Sequence, residues 1–182
     1  MVVDSLVPLV VVGATMPGLL FVGVIQLVAM SVSDARAIAD WRYEPPYDFY
    51  DGSEAEISVM LDPVNWYRSI RASGEFVGYV CVGPDARVAG QLAVPEIDDI
   101  GWGFRPDLTG RGIASGWLPD VLELLDGLAV RPKQRVVIAA WNERSQAVAR
   151  RLGFVDAGSL DNELGRWVEL ERRVTPACEG RS

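Results

Sequence analysis

The sequence predicts an α/β fold of the α+β kind: a mixed, mostly antiparallel central sheet flanked by helices on both faces. Three observations carry that reading. The stretch from Asp98 to Leu118 reads as strand, tight loop and helix, with Ile100–Phe104 extended, Pro106 and Asp107 ending the strand, and Ile113, Trp117, Leu118, Val121, Leu122 and Leu125 at helical spacing. A short continuous apolar run, Val136-Val137-Ile138-Ala139-Ala140, has the character of a strand buried on both faces. A second helix from about Glu143 to Leu152 closes at Gly153 and leads into another strand at Phe154-Val155.

The remaining elements follow in order. Residues 5–33 carry no charge, which reaches the length of a membrane span, but Pro8, Gly13, Pro17, Gly18 and Gly23 interrupt the run. Asp4 stands where a secretory signal needs basic residues. Gly23–Ala29 predicts the first strand. Residues 1–22 are an apolar extension with two open readings: a translation start assigned too early, with Met16 the true one, or a segment that packs on the protein or a membrane. Ser33 is expected to cap a helix running through Asp34, Ala35, Ile38 and Trp41. The prolines of Trp41–Asp51 forbid a regular helix there, and the segment is densely aromatic. Val64–Ser69 ends a short helix or begins a strand. Trp66–Ala72 and Glu75–Val82 predict a hairpin turning at Ser73-Gly74. The chain is then loop-like to Pro95, with irregular strand contacts expected over Gln91–Val94. Trp167–Val174 alternates as a terminal strand, and residues 176–182 form a loose tail.

Composition narrows the function. A chain of 182 residues forms one domain with a substantial core, and its formal net charge of −8 argues against nucleic acid as the main partner. The chain has no histidine, which excludes serine–histidine triads, histidine metal sites and histidine general bases. Its two cysteines, Cys81 and Cys178, lack metal or redox spacing, so a reduced cytoplasmic protein without a bound metal is the default expectation.

The candidate site follows from the strand–loop–helix. Gly110 and Gly112 permit positive φ, and the loop delivers the backbone N–H groups of a helix N-terminus, with their dipole, beside Arg111. That arrangement suits a phosphate or pyrophosphate; a plain strand-to-helix connection is the alternative. No Lys-Ser/Thr follows the glycines, so this is not a P-loop, and no Gly-x-Gly-x-x-Gly is present here.

Arg105-Pro106-Asp107-Leu108-Thr109-Gly110-Arg111-Gly112-Ile113-Ala114 resembles motif A of the GNAT acetyltransferases, with Gly112 and Ala114 at its small-residue positions and Thr109 where Gln or Arg is usual. Trp141 to Phe154 resembles motif B, with its Asn142, its helix and its closing Leu152-Gly153-Phe154. The resemblance spans roughly residues 23–175 and is nearest, in motif B, to the ribosomal-protein N-terminal acetyltransferases. It implies a sheet of about six or seven strands in the order β-α-α-β-β-β-α-β-α-β-β and acetyl-CoA as acyl donor. The pyrophosphate would lie on the backbone of Thr109, Gly110, Arg111, Gly112, Ile113, Ala114 and Ser115. The pantetheine arm would add to the splayed edge of the motif A strand, with the Phe104 N–H on the thioester carbonyl.

The same resemblance implies an amine acceptor, a small molecule or a protein N-terminus, attacking in a ternary complex. Tyr47 and Tyr50 become its candidate contacts, or else aromatics that pin the loop to the core. Asp98 and Asp99 are the nearest carboxylates to take the amine's proton, or else solvated loop groups. Where many relatives carry a Tyr on the motif B helix, this chain has Ala149, and the Glu some carry before motif B is Val137. Ser145 then becomes the hydrogen-bond donor to the departing thiolate and Asn142 a pantetheine or water ligand, with plain helix-end roles as the alternatives. A non-catalytic acyl-CoA-binding domain is the competing function. A monomer or homodimer, not bound to membrane, is the expected state.

Overall fold

The computed structural model describes residues 9–11, 24–129 and 131–174. The tail expected over 176–182, and all of the extension over 1–22 except 9–11, lie outside the described residues. The strands are β1 (Leu9–Val11), β2 (Ile25–Ala29), β3 (Arg68–Ala72), β4 (Glu75–Val82), β5 (Ile97–Phe104), β6 (Lys133–Ala139), β7 (Val155–Asn162) and β8 (Gly165–Arg173). The α-helices are α1 (Val32–Ala39), α2 (Ile57–Leu61), α3 (Ile113–Asp126) and α4 (Glu143–Arg151). The hydrogen-bonded strand order is β1-β2-β3-β4-β5-β6-β8-β7. β5 and β6 pair in parallel, while β1–β2, β2–β3, β6–β8 and β7–β8 are antiparallel, so the sheet is mixed as the sequence predicts. No helix among the described residues is long and apolar enough to cross a membrane.

The chain divides into two compact units, residues 1–61, 67–79 and 103–124, and residues 62–66, 80–102 and 125–182. In the first unit β2 is flanked by β1 and β3, with Leu27 opposite both Leu9 and Ile70. β1 is a strand drawn from the apolar extension, for which the sequence predicts no element. The turn between β3 and β4 has Ser73 at φ 51 and Gly74 at φ 84, the paired positive values whose twist matches a tight hairpin. Helix α1 is capped by Ser31 and not by Ser33: Ser31 is extended (φ −93, ψ 158) and its Oγ accepts the Asp34 N–H, while Ser33 already lies within the helix. Asp34 is buried, accepting from Ser69 Oγ at 2.7 Å and from Arg71 Nη2 at 2.6 and 2.8 Å. Trp41 stacks on Phe76 and Tyr79, and the short helix expected to end within Val64–Ser69 is α2, which already stops at Leu61.

The second unit is built on β6, paired with β8 from Lys133↔Arg173 to Ala139↔Trp167. Its core holds Ile97, Ile100, Val136, Ile138, Phe154 and Leu170. Trp66 ends a short 3₁₀ turn in the left-handed region (φ 40, ψ 50), so the strand expected from Trp66 begins only at Arg68. Gln91–Val94 forms no strand. Side chains tie that segment down instead: Arg135 Nη2 donates to Leu92 O at 2.8 Å, and Gln91 Nε2 to Glu169 Oε1 at 2.6 Å.

Candidate active site

In the first unit, β5 runs out through Phe104 into the glycine loop. Pro106–Leu108 forms one 3₁₀ turn, closed by Thr109, whose N–H and Oγ1 both donate to Pro106 O (3.1 and 2.8 Å). Thr109 therefore serves the loop's shape. Gly110 (φ 76) and Gly112 (φ 75) both adopt the left-handed conformation, which carries a penalty for any residue with a Cβ. A Cβ at Gly112 would meet nothing within 4 Å, so conformation and not space requires glycine there. The first helical bond of α3 runs from Gly116 N–H to Gly112 O at 3.2 Å. The amides ahead of it belong to the helix end that geometry leaves pointing outward along the axis.

Charge around this loop is sorted between two arginines. Arg105 pairs with Asp107 (Nε–Oδ1 2.7 Å) and with Glu75 (Nη1–Oε1 2.8 Å). The hydrogen bond from Arg105 lowers the Asp107 carboxyl from its ordinary range, with nearby Arg111 adding to the effect. Arg111 is exposed, and its charge acts on Asp107 from beyond ion-pair distance.

The aromatic segment is fixed to the end of β5 by a residue that the sequence reading did not single out. Tyr43 donates its hydroxyl to Phe104 O at 2.9 Å, and its own N–H goes to Asp51 Oδ1 at 2.7 Å. Burial, reinforced by Asp51, raises its phenol well above the ordinary value. Phe104 is buried, its ring centroid 6.3 Å from that of Trp117. Tyr47 and Tyr50 lie on a single 3₁₀ turn; Tyr47 is half-buried, and Tyr50 is exposed and edge-on to Phe49 at 5.1 Å. Among tyrosines in one aromatic stretch, composition alone does not say which reaches the strand.

In the second unit the decisive feature is where β5 and β6 stop pairing. Their parallel ladder covers Ile97↔Lys133, Asp98↔Gln134 and Asp99↔Arg135, yet β5 continues past Asp99 and β6 runs on to Ala139. Trp102, beyond the ladder, lies with its ring centroid 6.2 Å from that of Phe154.

The two candidate carboxylates face opposite ways from adjacent positions of β5. Asp98 lies 3.4 Å from Arg131 Nε and lines a cavity of about 400 Å³ with Trp66, Val82, Ile100 and Leu125. Asp99 is 3% exposed; its Oδ1 accepts from Arg135 Nε at 2.7 Å and its Oδ2 from Arg87 Nη1 at 3.0 Å. It is thus no solvated loop group, and each of its oxygens already holds a guanidinium.

Motif B supplies the other candidates. Asn142 is buried and caps α4, its Oδ1 accepting the Ser145 N–H at 3.1 Å. Ser145 is half-buried in the helix's first turn. Gln146, unremarked in the sequence, is buried and donates to Ala139 O (3.1 Å) and Ala140 O (3.0 Å), which locks α4 to the end of β6. Phe104, Tyr47, Tyr50 and Thr109–Ser115 thus belong to the first unit, and Asp98, Asp99, Asn142 and Ser145 to the second.

A mixed sheet, a parallel strand pair that parts, and a glycine loop opening a helix define a class. The model of the acetyltransferase (GNAT) domain matches residues 24–155, and the chain belongs to that family. Among curated proteins none matches significantly. Solved structures share the fold at low identity. RimL, a ribosomal L7/L12 alpha-N-protein acetyltransferase in complex with coenzyme A, is 17% identical with a TM-score of 0.59, over 82% of this chain and 94% of that one. An uncharacterised protein from Bacillus halodurans is 11% identical with a TM-score of 0.71, over 93% and 92%. The aminoglycoside acetyltransferase AAC(6')-Ib, in complex with paromomycin and acetyl-CoA, is 16% identical with a TM-score of 0.62, over 87% and 98%.

Proposed function

We propose that this protein moves the acetyl group of acetyl-CoA onto a primary amine, of a small molecule or of a protein N-terminus, by direct attack. The observation that carries the reading is β5: its ladder with β6 ends at Asp99, and the strand then leads without a break into a loop held open by two left-handed glycines. A strand edge that has parted from its neighbour offers main-chain groups to an extended acyl arm. The backbone of Thr109–Ser115 would take the pyrophosphate, with Arg111 adding charge.

In this reading the amine nitrogen attacks the thioester carbonyl carbon, the C–N bond forms, the C–S bond breaks, and the sulfur leaves as thiolate. The Phe104 N–H stabilises the oxyanion, Ser145 donates to the thiolate, and Asn142 presents Ser145 by capping its helix. The amine's proton passes to Asp98, directly or through water, and not to Asp99, whose two oxygens each hold a guanidinium. Tyr47 and Tyr50 border the acceptor. Much of the acceleration comes from holding amine and thioester together. Relatives support the donor and acceptor classes: RimL was solved with coenzyme A, and AAC(6')-Ib with acetyl-CoA and an aminoglycoside. A cytoplasmic setting, without nucleic acid or a resident metal, completes the reading.

Isothermal titration with acetyl-CoA, beside a Gly112→Glu variant checked for fold by circular dichroism, tests it. Binding that the variant loses supports the donor site, and an amine screen then looks for turnover. A folded wild-type protein that does not bind acetyl-CoA refutes the proposal.

A further inference from the structure

The last rung of the β5–β6 ladder is an ion pair inside a larger cluster, and all of that cluster lies in the second unit. Asp99 stands opposite Arg135 in register and is bonded to it side chain to side chain at 2.7 Å. Arg87 takes the other Asp99 oxygen at 3.0 Å, and the Asp99 carbonyl accepts the Gly83 N–H at 2.9 Å. Arg135 reaches Leu92 O (2.8 Å) and Glu169 Oε1 (3.4 Å) with its remaining nitrogens. Asp99 and Arg135 are 3% and 6% exposed.

A buried ion pair is a poor device for stability, because desolvation offsets much of the attraction and apolar residues of similar volume often do as well. The rest of β6 from Val136 to Ala139 is apolar. Charge at its one position facing the end of the ladder therefore calls for a reason other than stability. What a guanidinium–carboxylate pair adds is a fixed geometry in direction and distance. Arg87 and the Leu92 carbonyl bring in the 83–95 segment as a third support for the same point.

We propose that Arg87, Asp99 and Arg135 form a clamp that fixes where β5 parts from β6, and so are positioning residues for the acyl arm of the donor. The proposal rests on the donor reading given above. Asp99 here is not a proton acceptor but the centre of the clamp.

The test separates arm from nucleotide. Titrate acetyl-CoA and, in parallel, adenosine 3',5'-bisphosphate, which has the nucleotide end without the arm, into wild type, Asp99→Asn and Arg87→Met. Arg87 is partly exposed, so its variant keeps the test open should the buried one not fold. The clamp predicts that both variants bind acetyl-CoA roughly tenfold more weakly, a change of about 1.4 kcal/mol, and bind the bisphosphate within about twofold of wild type. Asp99→Glu is expected to recover part of the loss. Hydrogen exchange without ligand should show faster exchange at Ile100–Trp102 and unchanged protection in β8. Where an amine acceptor turns over, both variants should lower kcat and leave the form of the pH–rate profile unchanged, whereas a general base at Asp99 would alter that profile in Asp99→Asn alone. Folded variants that bind acetyl-CoA like wild type, or that lose both ligands equally, overturn the clamp and leave the donor reading standing. A wild type that binds the bisphosphate but gains nothing from the arm overturns the clamp as well. A wild type that binds neither ligand refutes the donor reading itself.

Discussion

Replacing Tyr43 by Phe removes one hydroxyl and leaves the ring. In the wild type that hydroxyl donates to Phe104 O at 2.9 Å, next to a buried Phe104 side chain. The variant loses the bond and leaves a carbonyl without that donor, which together cost about 1–3 kcal/mol. For a chain of this size each kcal/mol lowers the Tm by about 2–4 °C, so calorimetry at pH 7 should show a drop of several degrees. The pH dependence adds a second, sign-specific check. Burial, then Asp51, raises the folded-state pKa of Tyr43, while the unfolded phenol titrates near 10. Above about pH 10 the unfolded chain releases this proton first, so wild-type stability falls with rising pH, by up to about 1.4 kcal/mol per pH unit from this one group. Below the unfolded value the contribution is complete. Tyr43→Phe has no such proton, and the other tyrosines cancel in the comparison. The gap between the two proteins should therefore be constant from pH 6 to 9 and narrow above pH 10. An unchanged Tm at pH 7, or a gap that widens at high pH, would show that the hydroxyl is not committed to Phe104 and that this tie between aromatic segment and strand is wrong.

Three further outcomes follow from single contacts. Asp34→Ala strips the partner from Arg71 and from the buried Ser69 hydroxyl; because Arg71 keeps some solvent, the loss should fall near 2–3 kcal/mol in urea unfolding, below the range for fully buried pairs. Asn142→Ala should cost about 1 kcal/mol through the lost cap of α4, and Asn142→Asp should recover most of it, a result that a purely ligand-binding role for Asn142 would not give. Ser145→Ala should change stability by less than about 0.5 kcal/mol and lower kcat with little effect on acetyl-CoA affinity, measured by steady-state kinetics beside titration.

The elements most legible in the sequence were those whose signal is local. Gly110 and Gly112 marked a loop that does turn through positive φ, and Ser73-Gly74 marked a hairpin turn that the structure forms in the same place. The apolar run at Val136 gave the end of β6, paired with β8 alone because the ladder with β5 stops at Arg135, and Gly153 ended α4 with φ 88. Local signals failed where two residues offered the same chemistry: Ser31 and Ser33 can each cap a helix, and only the path out of β2 decides that Ser31 is the extended one. β1 was missed because three residues in a long uncharged run carry no alternation to set them apart; their pairing with β2 is a tertiary fact.

The site divides along the same line. Type and spacing located the glycine loop and the Asn142–Ser145 turn, since both depend on backbone geometry close in sequence. They did not tell Asp98 from Asp99, because two adjacent strand residues differ only in what the two faces meet, and those partners come from elsewhere in the chain: Arg131 for one, Arg87 and Arg135 for the other. The same reasoning accounts for Tyr43, whose partner is 61 residues away. What long-range contact adds is therefore the distinction between a carboxylate with one guanidinium near it and a carboxylate with a guanidinium on each oxygen. On that distinction Asp99, the residue that proximity to the motif A strand recommends as a base, is better explained as the pin that holds the strand's parting point.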